Sequence, residues 1–402
     1  MKKKRICMLA HSYLPGDDRI FREGRALVER GCEVDIICLK QRHEKFWETV
    51  AGIRLIRVPI RRDRARGVAA YAVEYFGFAL LAALLLWGRA VFRRYQVVHT
   101  HNPPDFLLWA MLPLKLFGAA AVFDIHDPGP EMAMSKWEIE SNHYLVKFWR
   151  RLEKITVGFA DRIIVTSRVD LEIIRSRNAC EASKFHIVMN TPDLNGAARA
   201  DDTVQVHSNG KNAGPVRLLY QGMVAKRRGI QTVLQALILL KDKPEDVRLT
   251  VAGDGEYLPA LKDLANELGL AGLVDFAGHV NSARLFELIE QADICLIPFL
   301  NTPINMRGVP NKLFEYMTFR KPMIAANLRG ITSVVSEQNV WLYEAGDAAA
   351  LAGAIAKVLR HPSEARKRTH SYEALLAQYN WQATKERLWD CYASLLVKPS
   401  SD

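Results

Sequence analysis

The run VRLLYQG, Val216–Gly222, decides how this chain is built. Ahead of it lies TPDLNGAARADDTVQVHSNGKNAGP, Thr191 to Pro215, which is small, polar and without period. That stretch reads as a linker with a flexible loop. After it, short apolar runs recur: VRLTVAG (Val247–Gly253), LVDFAG (Leu273–Gly278), DICLIPF (Asp293–Phe299), KPMIAA (Lys321–Ala326) and VWLYE (Val340–Glu344). Strands alternating with helical stretches imply a parallel sheet covered on both faces.

The same alternation precedes the linker. Strands are predicted over Arg5–Ala10, Glu33–Leu39, Ile53–Pro59, Gln96–Thr100, Ala120–Ile125, Arg162–Thr166 and Phe185–Met189, with helices such as Ile20–Arg30 and Tyr144–Phe159 between them. A chain of 402 residues is too long for one core and fits two. The expectation is an α/β protein with two doubly wound parallel-sheet domains, residues 1–192 and 216–379, joined through 193–215 and facing a central cleft. The closing NWQATKERLWDCYASLL, Asn380–Leu396, is predicted to leave the second domain, so that residues 380–402 pack back on the first. Ligands in such folds bind at the carboxyl ends of the strands, so the chemistry belongs in loops that follow strands.

Composition narrows the class. The six cysteines are scattered, with no CxxC pair and no Cys/His cluster, which points to a reduced, cytosolic protein without a structural metal. MKKKRICMLA opens like a signal peptide, but HSYLPGDD follows at once and a first strand is the better reading. Net charge is +11. No arginine-rich base-reading helix or aromatic RNA-binding motif accompanies it, so nucleic acid is not the expected partner.

Much of the positive surplus surrounds YFGFALLAALLLW, Tyr75–Trp87. Arg57, Arg61, Arg62, Arg64 and Arg66 precede it, and Arg89, Arg93 and Arg94 follow. A spanning helix needs about 20 apolar residues. This run reaches that length only by taking in Glu74. Predicted strands on both sides also argue against a span. The helix, about 68–94, is expected to lie partly in the core and partly in the membrane interface, with arginines at the headgroups. A wholly buried core helix stays open beside that reading.

Three loops of the second half carry candidate chemistry. Lys226, Arg227 and Arg228 follow its first strand and suit a diphosphate. Gly253 and Gly255, in AGDGE, let backbone approach a ligand. In VPNKLFEYM, Asn311 is read as a helix cap, which leaves the N–H groups of Leu313 and Phe314 for a phosphate while Lys312 adds a cation. Glu315, about a turn further in, can grip a ribose diol. Phosphate at the helix mouth and hydroxyls on the acid describe a nucleotide sugar.

In the first half, DIHDPGPE sets Asp124, His126, Asp127 and Glu131 around a strand end, in a loop stiffened by Pro128 and Pro130. Gly16 follows the first strand and is placed beside the donor phosphate. Asp17, Asp18, Arg19 and Asn102 are donor or acceptor contacts. No metal site is assigned, because the spacing of His99, His101, His126 and Asp127 fits no common zinc pattern.

Taken in order, HSYLPGDDRIFREGRALVERGCEVDIICL, VHTHNPPDFL, DIHDPGPE, FADRIIVTS, IVMNTPD, LLYQGMVAKRRGI, VAGDGE, PNKLFEYMTFRKPMIAAN and the NW motif resemble a retaining glycosyltransferase of family four. The likeness covers nearly the full chain and is nearest to the branch that builds bacterial surface polysaccharides. It implies the GT-B fold of two Rossmann-like domains, a nucleotide-sugar donor (UDP-linked first), no cofactor, a lipid-linked saccharide acceptor and a peripheral place on the inner face of the cytoplasmic membrane. By that resemblance Glu315 is the ribose-binding second acid of an E-x7-E motif, and Arg307 stands where the first acid falls. Met223 replaces the arginine usual after the glycine. His126 resembles the family's histidine after a first-domain strand, which approaches the donor sugar, and His126 and Asp127 are expected to be the catalytic residues. Two other readings remain open: a sugar-nucleotide epimerase of the same architecture, and a catalytically silent partner subunit.

Overall fold

The computed structural model describes residues 4–61, 68–194, 214–240 and 247–396. They divide into two compact units. One is built from residues up to Met189 together with those from Gln382 on, and the other runs from Asn190 to Trp381. Most of the expected linker, residues 195–213, lies outside the described residues, as do Arg62, Arg64 and Arg66.

Among the described residues of the first unit, eight strands form one sheet: β1 (Arg5–Tyr13), β2 (Glu33–Leu39), β3 (Trp47–Val50), β4 (Ile53–Val58), β5 (Val97–His101), β6 (Ala120–Ile125), β7 (Arg162–Val165) and β8 (Phe185–Ile187). Their order is β3-β4-β2-β1-β5-β6-β7-β8. Seven run parallel; β3 is antiparallel to β4 at the edge. That edge strand was not predicted. WETV has no apolar alternation and is mostly exposed, so nothing in its pattern marks a strand. Strand order reverses between β1 and β5, which is where such sheets open a crevice.

The second unit contains β9 (Val216–Gln221), β10 (Val247–Ala252), β11 (Val274–Gly278), β12 (Ile294–Ile297), β13 (Met323–Ala326) and β14 (Trp341–Tyr343). All pairs are parallel, in the order β11-β10-β9-β12-β13-β14. The reversal here falls between β9 and β12. The central strands of both sheets are buried and mainly apolar, as expected when helices cover two faces.

The apolar run forms a helix over Val68–Phe92. Phe78, Ala82 and Leu86 enter the core with Cys7, Leu9 and Val98. Glu74 joins this inward stripe and meets His11, at the end of β1, across 3.0 Å. The charge that spoiled the span is therefore a packing contact. The placing of all flanking arginines at headgroups needs correction: Arg89 pairs with Asp35 at 2.7 Å, and Arg93 with Glu33 and Asp35. Arg57 is buried, with Glu44 and Glu48 as partners. Two buried or half-buried acids of β2 outcompete solvent for Arg89 and Arg93.

The Trp381–Leu396 helix completes the first unit. Tyr392 Oη lies 2.6 Å from His99 Nδ1, Arg162 donates to Ser394, and Lys385 and Glu386 pair with Glu29 and Arg30.

Candidate active site

In the first unit, polar side chains converge where β1, β5 and β6 end. His99 and His101 alternate along β5 and so share a face. Asp124 is the fifth residue of β6. Arg19 and Glu23 lie one turn apart on the Asp18–Glu29 helix. Both Arg19 Nη2–Asp124 contacts are 3.1 Å, Arg19 Nη1 donates to Val188 O at 3.0 Å, and Arg19 Nε stands 3.1 Å from Glu23. Asp124 also faces His126 Nε2 at 2.8 Å and His101 Nδ1 at 3.2 Å. Arg19, Glu23, His99, His101 and Asp124 are all buried, and His126 alone of the group reaches the surface, with 18% of its side chain exposed.

Electrostatics follow from burial and pairing. Arg19 and His126 hold the Asp124 carboxyl well below its usual range against the opposing effect of burial. Asp124 lifts the His126 imidazole above its ordinary value, though burial opposes it. Burial raises Glu23 to about 7 despite Arg19, and lowers His99 and His101. Glu23, His99, His101 and Asp124 each bring one potential ligand atom within 4.8 Å of the others. The cation in their midst is the Arg19 guanidinium, which neutralises one of the two carboxylates.

The loop carrying His126 and Asp127 is held by Asn102. Its Oδ1 accepts from the backbone N–H of His126 at 2.7 Å and of Asp127 at 3.3 Å, while Nδ2 donates to Asp127 O and Asp105, each at 3.0 Å. Buried Asp105 is itself pushed up to about 7 by desolvation. Asn102 was read as an acceptor contact; with its amide committed on both sides, it shapes the loop instead. Glu131, expected as an acceptor-side or sugar contact, is likewise committed elsewhere. It is buried against Arg177 at 2.7 Å, which also holds Glu153. Asp17 caps the Asp18–Glu29 helix, accepting from Ile20 N at 3.3 Å and from Ser12 Oγ at 2.9 Å. Asp18, Gly16 and Asp127 are exposed near the cluster, and Arg19 is inside it.

In the second unit the site grows from the end of β9. Lys226–Arg228 form one 3-10 turn after that strand, ahead of the Ile230–Leu240 helix. Arg227 O accepts from Leu300 N at 3.0 Å and from Asn305 Nδ2 at 2.7 Å, which ties the basic turn to the loop after β12. Arg228 stacks over Phe299 at 4.3 Å. Gly253 and Gly255 were assigned to ligand approach. Instead they let two backbones meet: a Cβ at Gly253 would lie 1.9 Å from Gly222 O, and one at Gly255 2.2 Å from Val224 O.

The Asn311–Thr318 helix is capped by Pro310, not Asn311. Its first-turn amides are thus one residue earlier than expected, and Leu313 N already donates to Pro310 O at 3.0 Å. Lys312 turns inward. Its ammonium donates to Gln221 O and sits 3.8 Å from the Tyr220 ring centre, and burial pushes its pKa far down. Leu313 and Phe314 are core residues. Glu315, half-buried, accepts from the Gln221 side chain. Gln221 thereby fixes Lys312 and Glu315, through carbonyl and amide respectively. Neither Gln221 nor Asn305 was singled out in the sequence; position at a strand end was the available signal for Gln221. Arg307 is buried within this unit, 2% exposed, rather than presented to solvent.

Two domain descriptions match the chain: "Glycosyl transferase 4-like domain" over residues 19–191 and "Glycosyl transferases group 1" over residues 215–361. Putative glycosyltransferase EpsD of Bacillus subtilis is 23% identical over 310 residues, 75% of this chain and 77% of its own length. Glycogen synthase of Mycobacterium tuberculosis is 27% identical over 171 residues, 42% of this chain but only 40% of its own length. Among solved structures, sucrose-phosphate synthase from Thermosynechococcus elongatus superposes with a TM-score of 0.77 at 20% identity, covering 98% of this chain and 99% of that one. HepE from Anabaena, solved with UDP, gives 0.69 at 13% identity, covering 97% and 100%. The likenesses to EpsD, sucrose-phosphate synthase and HepE extend over both units, and the two domain matches, one in each unit, together take in most of the sequence. The chain belongs to the glycosyltransferases of GT-B fold.

Proposed function

We propose that the chain moves a sugar from a nucleotide-diphosphate donor to a hydroxyl of a lipid-linked saccharide, with retention at the anomeric carbon, in the assembly of a cell-surface polysaccharide on the cytoplasmic side of the membrane. The observation that carries this reading is the group at the end of β9. A basic turn, a helix N-terminus and a half-buried acid held by Gln221 converge there. Each suits one part of such a donor: cations for pyrophosphate, amides for a phosphate oxygen, the carboxylate for a ribose diol. HepE, with UDP in its solved structure, supports a uridine donor.

Departure of the diphosphate develops negative charge beside an oxocarbenium-like sugar. Lys226, Arg227 and Arg228 then supply the stabilising cations. Lys312 acts on the frame: it holds the Gln221 carbonyl, and through Gln221 the geometry of Glu315. His126, whose pKa Asp124 raises against burial, offers its exposed edge to sugar hydroxyls. Calorimetry with UDP-, GDP-, ADP- and dTDP-linked sugars tests the reading. Heat of binding to one base and its loss in Glu315→Ala are expected. No heat with any of them refutes it.

A further inference from the structure

The Val68–Phe92 helix has two apolar faces and the fold uses one. Phe78, Ala82 and Leu86 face the core, while Phe76, Leu80, Leu84, Trp87 and Val91 form an exposed stripe at spacings of three and four. A surface helix normally turns polar residues outward. The exposure continues on the next segment. Trp109, Leu112, Leu116 and Phe117 are exposed along a 3-10 turn and short helix, Asp105–Leu116, and its end. The two pieces are joined: the Phe76 and Phe106 rings stack at 4.6 Å, and Trp87 Nε1 donates to Ala110 O at 2.7 Å. A contiguous patch of this make-up marks a docking surface.

Charge identifies the occupant. The Asp105–Met111 turn also packs against the Tyr144–Phe159 helix. That helix exposes Lys147, Arg151 and Lys154 beside Tyr144, Phe148 and Ile155, while its one acid, Glu153, is buried with Arg177. In a symmetric dimer each patch meets its own copy, which sets these cations against like charge. An anionic lipid surface supplies the opposite charge together with an apolar layer. We propose that the outer stripe of the Val68–Phe92 helix and the Trp109–Phe117 segment insert into an anionic bilayer, with Lys147, Arg151 and Lys154 at the headgroups. The inference deepens the acceptor side of the reading above, on which its purpose rests.

Flotation of the full chain with phosphatidylcholine vesicles, with and without phosphatidylglycerol, tests it. Binding to the anionic vesicles at low ionic strength is expected, weakening as salt screens the cations. Leu80→Gln, Leu84→Gln and Leu116→Gln together should cut binding by at least about tenfold, since each removes a leucine side chain from the inserting face. Their melting temperature should stay that of the wild type, because all three are exposed. Lys147→Glu, Arg151→Glu and Lys154→Glu together should abolish the preference for anionic lipid. Failure to bind either vesicle overturns the proposal, as does undiminished binding by the leucine variant. A dimer formed without vesicles and lost in that variant assigns the face to a second copy and overturns it too. Neither donor nor acceptor is present, so failure here is separate from a missing nucleotide-sugar heat in calorimetry.

Discussion

At the ends of β5 and β6 in the first unit, Arg19, Glu23, His99, His101 and Asp124 are buried against one another, and only His126 shows an edge. At the end of β9 in the second, Lys226 is exposed, Arg227 and Arg228 are half-exposed, and Glu315 is half-buried and accepts from Gln221. The first arrangement pairs its charges internally and presents one imidazole edge. The second holds its charges nearer the surface, at a strand end, within reach of a ligand. Substitutions in the first should therefore show in stability, and substitutions in the second in affinity.

The largest effect should come from Asp124→Ala. It leaves the Arg19 guanidinium buried with a single remaining carboxylate, and breaking a buried ion pair costs about 3–5 kcal/mol. Urea denaturation measures it; a loss under about 1 kcal/mol would erase the contrast between the units. Next is a pH effect. Glu23 sits at about 7 in the folded chain against an ordinary 4.5. Its stabilising contribution is full below the ordinary value, while the proton is held in both states, and is lost as pH rises through about 7. Wild-type stability relative to Glu23→Gln should thus fall by a few kcal/mol across that window. A flat difference would place Glu23 in water-like surroundings.

Affinity comes next in size. Glu315→Ala should weaken donor binding about a hundredfold, by removing charge-assisted bonds to two hydroxyls, with little change in melting temperature. Gln221→Ala should cost about tenfold, because it frees the carboxylate without deleting it. Lys312 stays in place in that variant, since it bonds the main-chain carbonyl. If Gln221→Ala proved as severe as Glu315→Ala, the amide would be a donor contact in its own right.

The doubly wound pattern was legible because each buried strand is a short apolar run between polar stretches. Tyr144–Phe159 was read to its last residue for a similar reason: its apolar positions keep helical spacing. What escaped depends on contacts distant in sequence. Nothing local to Glu74 shows that His11 waits for it, and nothing in VPNKLFEYM shows that Lys312 bends back to Gln221, 91 residues earlier. The cap at Pro310 escaped for another cause. Asn311 has the better capping side chain, but proline's fixed φ suits the extended backbone just ahead of a helix. Residue type suggested the roles proposed for Glu315 and the basic turn, whereas the contacts made by Gln221, Asn305 and Asn102 show only in three dimensions.

The Trp381–Leu396 helix makes the first unit discontinuous: the second unit is inserted between Met189 and the segment that returns Tyr392 to His99. During synthesis the inserted unit emerges in full from the ribosome while its host still lacks a wall. The nascent amino-terminal half must wait, with the β5 histidines uncovered, for some two hundred residues to pass, on the order of ten to forty seconds at typical elongation rates.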